Sequence, residues 1–312
     1  MANTIKPLYI WAGGKNKMIP KYIQSPGIPT SGYDTFVEPF FGGGAMMIWV
    51  KENCPEVKHF VMNDINPEIV GIYEAIKHDV DRFVDRMEQL STMFLPLAKE
   101  DRKKFYYDLR EEYTQRWTQW NKTEESATLY FLMKTGFNGI WQVNQKSNGR
   151  FATPSGLLNQ KNKVYDRWNV DAWHQFLQMV DIRCGDWQHS CQNIPGECAF
   201  YFMDPPYRDS FTQYGQTFDD QAHLNLINFC AARDNQGDFV FYCNREAGDD
   251  FYVKHKQHLE LNNYSITYTA GRRKHDEDGG KSAKRAEEVL LYSPRISSPL
   301  VASHPHLFEY SD

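Results

Sequence analysis

The run Ala199-Phe200-Tyr201-Phe202-Met203 passes directly into Asp204-Pro205-Pro206-Tyr207. An apolar run of this length, stopped by two prolines, reads as a buried strand. An acid, two rigid prolines and an aromatic then emerge together at the strand's end, which in an open α/β sheet is where ligands bind. The set suits the gripping of a flat, weakly nucleophilic exocyclic amine. The Asp204 side chain and the Pro205 carbonyl can each accept a hydrogen bond from an NH2 group. The prolines fix the backbone so that both acceptors point one way, and Tyr207 can stack on the ring. For Tyr207 alone the plainer reading is a core aromatic.

The α/β pattern extends on both sides. Residues 33–38 read as a strand, Phe41-Gly42-Gly43-Gly44 as a turn, and Ala45 to Val50 as a helix. Residues 58–62 read as a second strand ending at Asn63-Asp64. Asn66-Pro67 then reads as an N-cap with proline at the first helical position. Ile69, Ile72, Tyr73 and Ile76 form the apolar stripe of the helix that follows. From about 80 to 160 the character changes to helical periodicity with many charges, including a helix over 124–135, and no clear strand. Strands resume at 180–183 and 239–243. A helix over 221–232 lies between the Asp204 strand and residue 239, and residues 264–269 and 288–292 read as an antiparallel pair joined by a charged loop. The expected organisation is a catalytic α/β domain from 1–79 and 161–312, with a helical insertion at 80–160.

The glycines after the first strand let backbone approach a ligand closely. They form neither GxGxxG nor a P-loop, which disfavours an NTPase. Asp64 lies about 20 residues further on, where an acid binds ribose hydroxyls in nucleoside-binding folds; alone it reads equally as a helix-capping aspartate. Trp11-Ala12-Gly13-Gly14-Lys15 adds a glycine pair and a cation suited to a carboxylate, against the plainer reading of a surface turn. A molecule with adenosine at one end and an amino-acid carboxylate at the other would use all three elements, and S-adenosylmethionine is such a molecule.

At 312 residues, with 41% hydrophobic and 15% aromatic content, the chain can bury a large core. Its net charge of −5 excludes a globally basic nucleic-acid coat, so polyanion contact needs a local patch. No apolar h-region opens the sequence and no stretch has membrane-span length. Six cysteines fit reduced thiols in a cytoplasmic protein. The spacing of Cys184, His189, Cys191 and Cys198 matches no common zinc pattern, so no metal is expected.

The ordered set Trp11–Lys15, Glu38–Gly44, Asn63–Asn66, Phe137-Asn138-Gly139, Phe151 with Pro154 and Gly156, Asp204–Tyr207, Arg272-Arg273, Lys284-Arg285 and residues 288–292 resembles the Dam-type DNA adenine-N6 methyltransferases over about residues 8–293. The resemblance implies a doubly wound methyltransferase-type sheet with an antiparallel last strand, plus an inserted helical target-recognition domain. It implies a cytoplasmic enzyme of a bacterial cell, host or phage encoded, serving restriction-modification or phage DNA modification. It implies S-adenosylmethionine as cofactor, contacted by Trp11, Gly14, Lys15, Glu38, Phe40, Gly42, Gly43, Gly44, Asp64, Ile65 and Asp204, with Asp186 and Trp187 lining the adenine pocket. Asp204, Pro205, Pro206 and Tyr207 would form the catalytic motif. The implied partner is double-stranded DNA, with no membrane, and the chain itself a monomer or weak dimer.

A base within a duplex must flip out to enter such a pocket, and stacking on Tyr207 would return part of that cost. Expected DNA contacts are Lys134, Asn138, Ile140, Gln142, Asn144, Lys146, Arg150, Pro154, Arg272 and Arg273. Charge runs are more often solvated surface, but here the basic residues are interleaved with amides that can read adenine edges. One departure matters: family members that recognise GATC commonly carry arginine where this chain has Gln142. The loop 145–150 also looks one residue longer. The recognition site therefore stays open. Two further readings remain: a methyltransferase of RNA or another amine, and a catalytically silent DNA-binding regulator.

Overall fold

Phe36, Phe60, Phe200 and Phe241 meet in tilted and edge-to-face contacts across the centre of one sheet, with ring centroids 5.5 Å apart for Phe36–Phe200 and 5.2 Å for Phe200–Phe241. Alternate residues of the same strands, Val37, Val61, Tyr201, Met203, Val240 and Tyr242, form a separate apolar cluster. A strand covered on both faces must be apolar throughout, which is why residues 199–203 carry no charge.

The computed structural model describes residues 4–11, 13–116, 119–138, 141–143, 147, 149–208, 218–268 and 284–297. Its strands are β1 (Thr35–Glu38), β2 (His59–Asp64), β3 (Val180–Cys184), β4 (Ala199–Met203), β5 (Phe239–Arg245), β6 (Glu260–Tyr268) and β7 (Lys284–Tyr292). They form one sheet in the order β3-β2-β1-β4-β5-β7-β6. All pairings among β1 to β5 are parallel, while β7 runs antiparallel to both β5 and β6. The fold is thus a doubly wound α/β sheet with an antiparallel strand inserted near one edge. β1 and β4 are neighbours whose onward connections lead in opposite directions. Their carboxyl ends flank the topological switch point, where open α/β sheets bind ligands.

The helices are α1 (Ile19–Gln24), α2 (Ala45–Asn53), α3 (Pro67–His78), α4 (Val80–Phe94), α5 (Lys99–Arg116), α6 (Lys122–Thr135), α7 (Arg167–Leu177), α8 (Trp187–Ser190), α9 (Asp220–Asn235) and α10 (Phe251–His255). Asn66 caps α3 by accepting the Glu68 N–H at 3.0 Å, and the stripe Ile69, Ile72, Tyr73 and Ile76 is buried. α6 begins earlier than its sequence pattern suggests, because Asn121 accepts the Glu124 N–H at 2.9 Å and so caps from Lys122. α6 packs against both α3 and α4 and is buried nearly all round. Phe83, Met87, Phe94 and Phe131 join the apolar cluster that contains Phe36 and Phe60. The helices between β2 and β3 therefore share a core with one face of the sheet. Beyond α6 the chain doubles back through bridges Gly136–Ser155 and Val143–Phe151, extended pairing that the sequence pattern did not suggest.

Candidate active site

Lys15 lies in a single 3-10 turn (Lys15–Lys17) and is only 3% exposed. Its ammonium donates to Asp204 Oδ1 at 2.7 Å, to the Gly13 carbonyl at 3.2 Å and to Tyr207 Oη at 3.2 Å. Tyr207 Oη donates in turn to Glu288 Oε1 at 2.7 Å. Asp204 follows β4, and Glu288 enters from β7, where it pairs in register with Arg245 of β5. Residues 189 and 81 positions apart thus meet at the carboxyl end of the sheet.

Burial shapes their charge states. It pushes the Asp204 carboxyl up to about 6, with Lys15 opposing and Glu288 adding to the rise. It also works against a charged Lys15, but Asp204, Tyr207 and Glu288 together outweigh it and hold the Lys15 proton well above its ordinary range. Glu38, at the end of β1, is pushed well above the carboxylate range by burial and by Asp204, although the Met47 N–H donates to it at 3.1 Å.

The glycine loop is shaped by aromatics. Trp11 packs over it, so that a Cβ at Gly42 would sit 2.6 Å from Trp11 Nε1 and one at Gly43 would sit 3.2 Å from Trp11 Cβ. At Gly44, φ is +65° and a Cβ would fall 2.2 Å from Phe41 Cζ. Gly44→Ala is therefore expected to lower stability by about 1–3 kcal/mol, through overpacking and left-handed strain. A denaturant midpoint equal to wild type would show that Phe41 moves aside freely. Asp64 accepts the Gly42 N–H at 3.0 Å and the Asn66 N–H at 2.9 Å. It thereby ties the glycine loop to the start of α3, and burial raises its carboxyl despite those bonds. Ile65 is 40% exposed, while half-buried Phe40 meets Phe218 edge-on at 5.8 Å. The Gly14 N–H closes its turn on the Trp11 carbonyl at 3.1 Å.

Asp186 is exposed and caps α8 through the Gln188 N–H at 2.8 Å. Trp187 is buried against Phe229 with centroids 5.3 Å apart, within the cluster of Val37 and Tyr201. Among the described residues no group of three or more His, Cys, Asp or Glu could hold a metal ion.

Three residues were given no site role from the sequence. Glu288 is the buried carboxylate beneath Tyr207. Asn244 of β5, fully buried, accepts the Arg208 N–H at 3.2 Å and donates to the Pro206 carbonyl at 3.4 Å. The Arg208 guanidinium lies 3.8 Å from the Phe251 ring centroid and forks onto Asp220 and Asp249 at 2.8–3.0 Å. Asn244 and Arg208 thus anchor the chain immediately after the motif.

The expected DNA contacts divide. Asn138 and Pro154 are exposed, and the Phe137 N–H bonds to the Pro154 carbonyl at 2.9 Å. Gln142 is half-buried and its carbonyl accepts the Ala152 N–H at 2.7 Å. Lys134 and Arg150 turn inward instead. Lys134 donates to the Leu8 carbonyl at 3.3 Å, and burial lowers its proton affinity. Arg150 pairs with Glu125 and, at 3.2 Å, with Glu68, its guanidinium 4.5 Å from the Tyr113 ring centroid. In this structure internal carboxylates pair with this arginine on one guanidinium nitrogen. Ile140, Asn144, Lys146, Arg272 and Arg273 lie outside the described residues.

The family model described as "D12 class N6 adenine-specific DNA methyltransferase" matches residues 11–283. The type II methyltransferase M.MjaIII of Methanocaldococcus jannaschii is 32% identical over 246 residues, covering 75% of this chain and 82% of its own. The type II methyltransferase M1.LlaDCHI of Lactococcus lactis subsp. cremoris is 29% identical, over 77% of this chain and 81% of its own. The DNA adenine methylase of Escherichia coli (strain K12) is 24% identical, over 93% of this chain and 96% of its own.

Proposed function

The chain belongs to the D12 class of N6 adenine-specific DNA methyltransferases, and we propose that it methylates N6 of an adenine flipped out of double-stranded DNA at the site built around Asp204. The observation that carries this assignment is the pairing of buried Lys15 with half-buried Asp204 at the switch point, with Pro205, Pro206 and Tyr207 continuing from it.

The donor set fits S-adenosylmethionine. The half-buried Asp204 carboxylate stands beside the buried Lys15 ammonium, with the buried Glu38 carboxyl at the end of β1, a set that offers polar partners to the charged groups of such a molecule. Trp11, Gly14, Lys15, Glu38, Phe40, Gly42, Gly43, Gly44, Asp64, Ile65, Asp186, Trp187 and Asp204 would hold it. When bound, it supplies an electrophilic methyl group. Asp204 and the Pro205 carbonyl accept hydrogen bonds from the N6 amine, one for each N–H, drawing the nitrogen lone pair out of conjugation with the ring. Tyr207 stacks on the base. Placement can supply much of the rate, since N6 is held rather than activated by covalent chemistry.

Segment 80–160 is assigned to target recognition, with Asn138, Gln142 and Pro154 on its described surface and Ile140, Asn144 and Lys146 beside them in sequence. Arg272 and Arg273 would add contacts from between β6 and β7. Glutamine pairs with adenine edges where arginine pairs with guanine, so Gln142 favours a recognition sequence other than GATC. No helix among the described residues is long and apolar enough to cross a membrane. The work of such an enzyme lies with cytoplasmic DNA.

Incubation with methyl-labelled S-adenosylmethionine and unmethylated DNA, RNA or protein tests the assignment. Label is expected on DNA adenines within one sequence context; label confined to RNA or protein would overturn it. The pH profile gives a second check. Asp204 must be ionised to accept N6 hydrogens, and its proton leaves at about 6. Single-turnover rates should be level above that pH and fall by about tenfold per unit below it. A profile flat down to pH 5 would remove Asp204 as the titrating acceptor.

A further inference from the structure

Glu288 lies on β7, remote in sequence from the Asp-Pro-Pro-Tyr motif, and is 2% exposed. A carboxylate is rarely buried so completely unless it holds something. What it holds is the hydroxyl of Tyr207, 2.7 Å away, which also accepts from Lys15 at 3.2 Å. Lys15 in turn grips Asp204 at 2.7 Å. The four side chains form one line of hydrogen bonds, Glu288–Tyr207–Lys15–Asp204, from the antiparallel strand to the motif. The Tyr207 phenol is fixed at both ends of its hydroxyl, as donor and as acceptor, so its ring plane cannot swing freely.

We propose that Glu288 is a positioning residue for methyl transfer: it sets the Tyr207 ring and, through Lys15, the orientation of the Asp204 carboxylate that receives the adenine amine. This rests on the assignment of Asp204 and Tyr207 to the target base. Glu288 itself touches neither substrate nor cofactor in this scheme. It acts by fixing the platform before the base arrives, so that the flipped adenine meets a preset ring and acceptor.

Glu288 also acts on charge. The groups around Asp204 are Lys15 from the 3-10 turn, Glu38 from β1, Cys243 from β5, Tyr22 from α1, Tyr207 and Glu288. Burial holds the Tyr22 phenol and the Cys243 thiol well above their ordinary values, so both stay neutral near pH 7. Glu288 raises the Asp204 carboxyl and Lys15 lowers it. Removing the Glu288 charge must therefore move the Asp204 titration downward.

The test is Glu288→Gln, which keeps a hydrogen-bond acceptor for Tyr207 but removes the charge, alongside Tyr207→Phe, which keeps the ring but removes the hydroxyl. Each is expected to lower the single-turnover rate by roughly tenfold, with cofactor affinity measured by calorimetry within about twofold of wild type. In Glu288→Gln the acidic limb should shift to lower pH by roughly half a unit. The double variant should be no slower than the worse single variant, because both act through one contact. Fluorescence of 2-aminopurine at the target position should change in both single variants, since the stacking ring is no longer fixed. Multiplying losses, or an unmoved limb and unchanged fluorescence, would overturn the role of Glu288. If Glu288→Gln does not fold, full activity in Tyr207→Phe overturns it equally. Turnover retained in Asp204→Ala would instead overturn the underlying assignment of the site.

Discussion

Asp204→Ala is expected to reduce methyl transfer to DNA by about 10³-fold or more, equivalent to roughly 4 kcal/mol of barrier. Two losses combine. The adenine amine loses an ionised acceptor, which is worth more than a neutral one. Lys15, 3% exposed, loses the carboxylate that holds its charge in the interior. The second loss bears on folding as well as chemistry, because breaking a buried pair from one side is strongly destabilising. Stability and catalysis can be separated by adding Lys15→Met. Removing both charges should recover stability and leave turnover abolished. DNA binding, measured at fixed salt, should survive in the single variant, since Asp204 lies in the pocket and carries the wrong sign for a phosphate contact. Turnover within tenfold of wild type in Asp204→Ala would remove it from the chemistry.

The motif and its strand were legible because burial on both faces leaves an unmistakable trace: five apolar residues, then an acid and two prolines. The α3 cap was legible for an equally local reason, Asn66 before Pro67. The identity of Lys15 as partner to Asp204 was not local. Nothing in a Gly-Gly-Lys turn announces an acid 189 residues later: the sequence set Lys15 against a ligand carboxylate, and its pairing with Asp204 emerges only in the fold. Glu288 opens the strand read over 288–292, but nothing local in Glu287-Glu288-Val289-Leu290-Leu291 says which of its charges is buried. The fold sets it in register with Arg245 of β5, buried and bonded to the Tyr207 hydroxyl. Arg208 was hidden likewise, its two aspartates being 12 and 41 positions away. The glycines were read as room for a ligand. Their neighbours are Trp11 and Phe41, so at Gly42 and Gly44 close aromatic packing already requires glycine, whatever binds above.

Arg150 offers the largest stability effect, and its sign differs from what a basic loop suggests. Arg150→Ala is expected to cost about 3–5 kcal/mol of folding stability. Arg150, Glu68 and Glu125 have side chains 12%, 13% and 10% exposed, and the arginine is the cation between two carboxylates. Glu68 also accepts from Tyr113. Burial already raises the Glu68 carboxyl, with Tyr113 and Arg150 restraining that rise. Without Arg150 it must rise further, so the folded variant takes up protons more readily than its unfolded chain. The deficit should therefore be greatest near pH 8 and shrink as pH falls toward 5. The same residues line a cavity of ≈ 520 Å³ together with Lys122, which pairs with Glu125 at 3.1 Å, so Lys122 and entering water should hold the cost to the lower end of the range. Arg150→Lys, which keeps the charge without the fork, should lose less. A phosphate contact would behave otherwise: stability near wild type, and a salt dependence of DNA binding flattened by about one counterion. Denaturant titration at two pH values, with a salt series on the folded variant, distinguishes the two. The internal pairing of Arg150 predicts a large pH-dependent loss of stability and an unchanged salt slope.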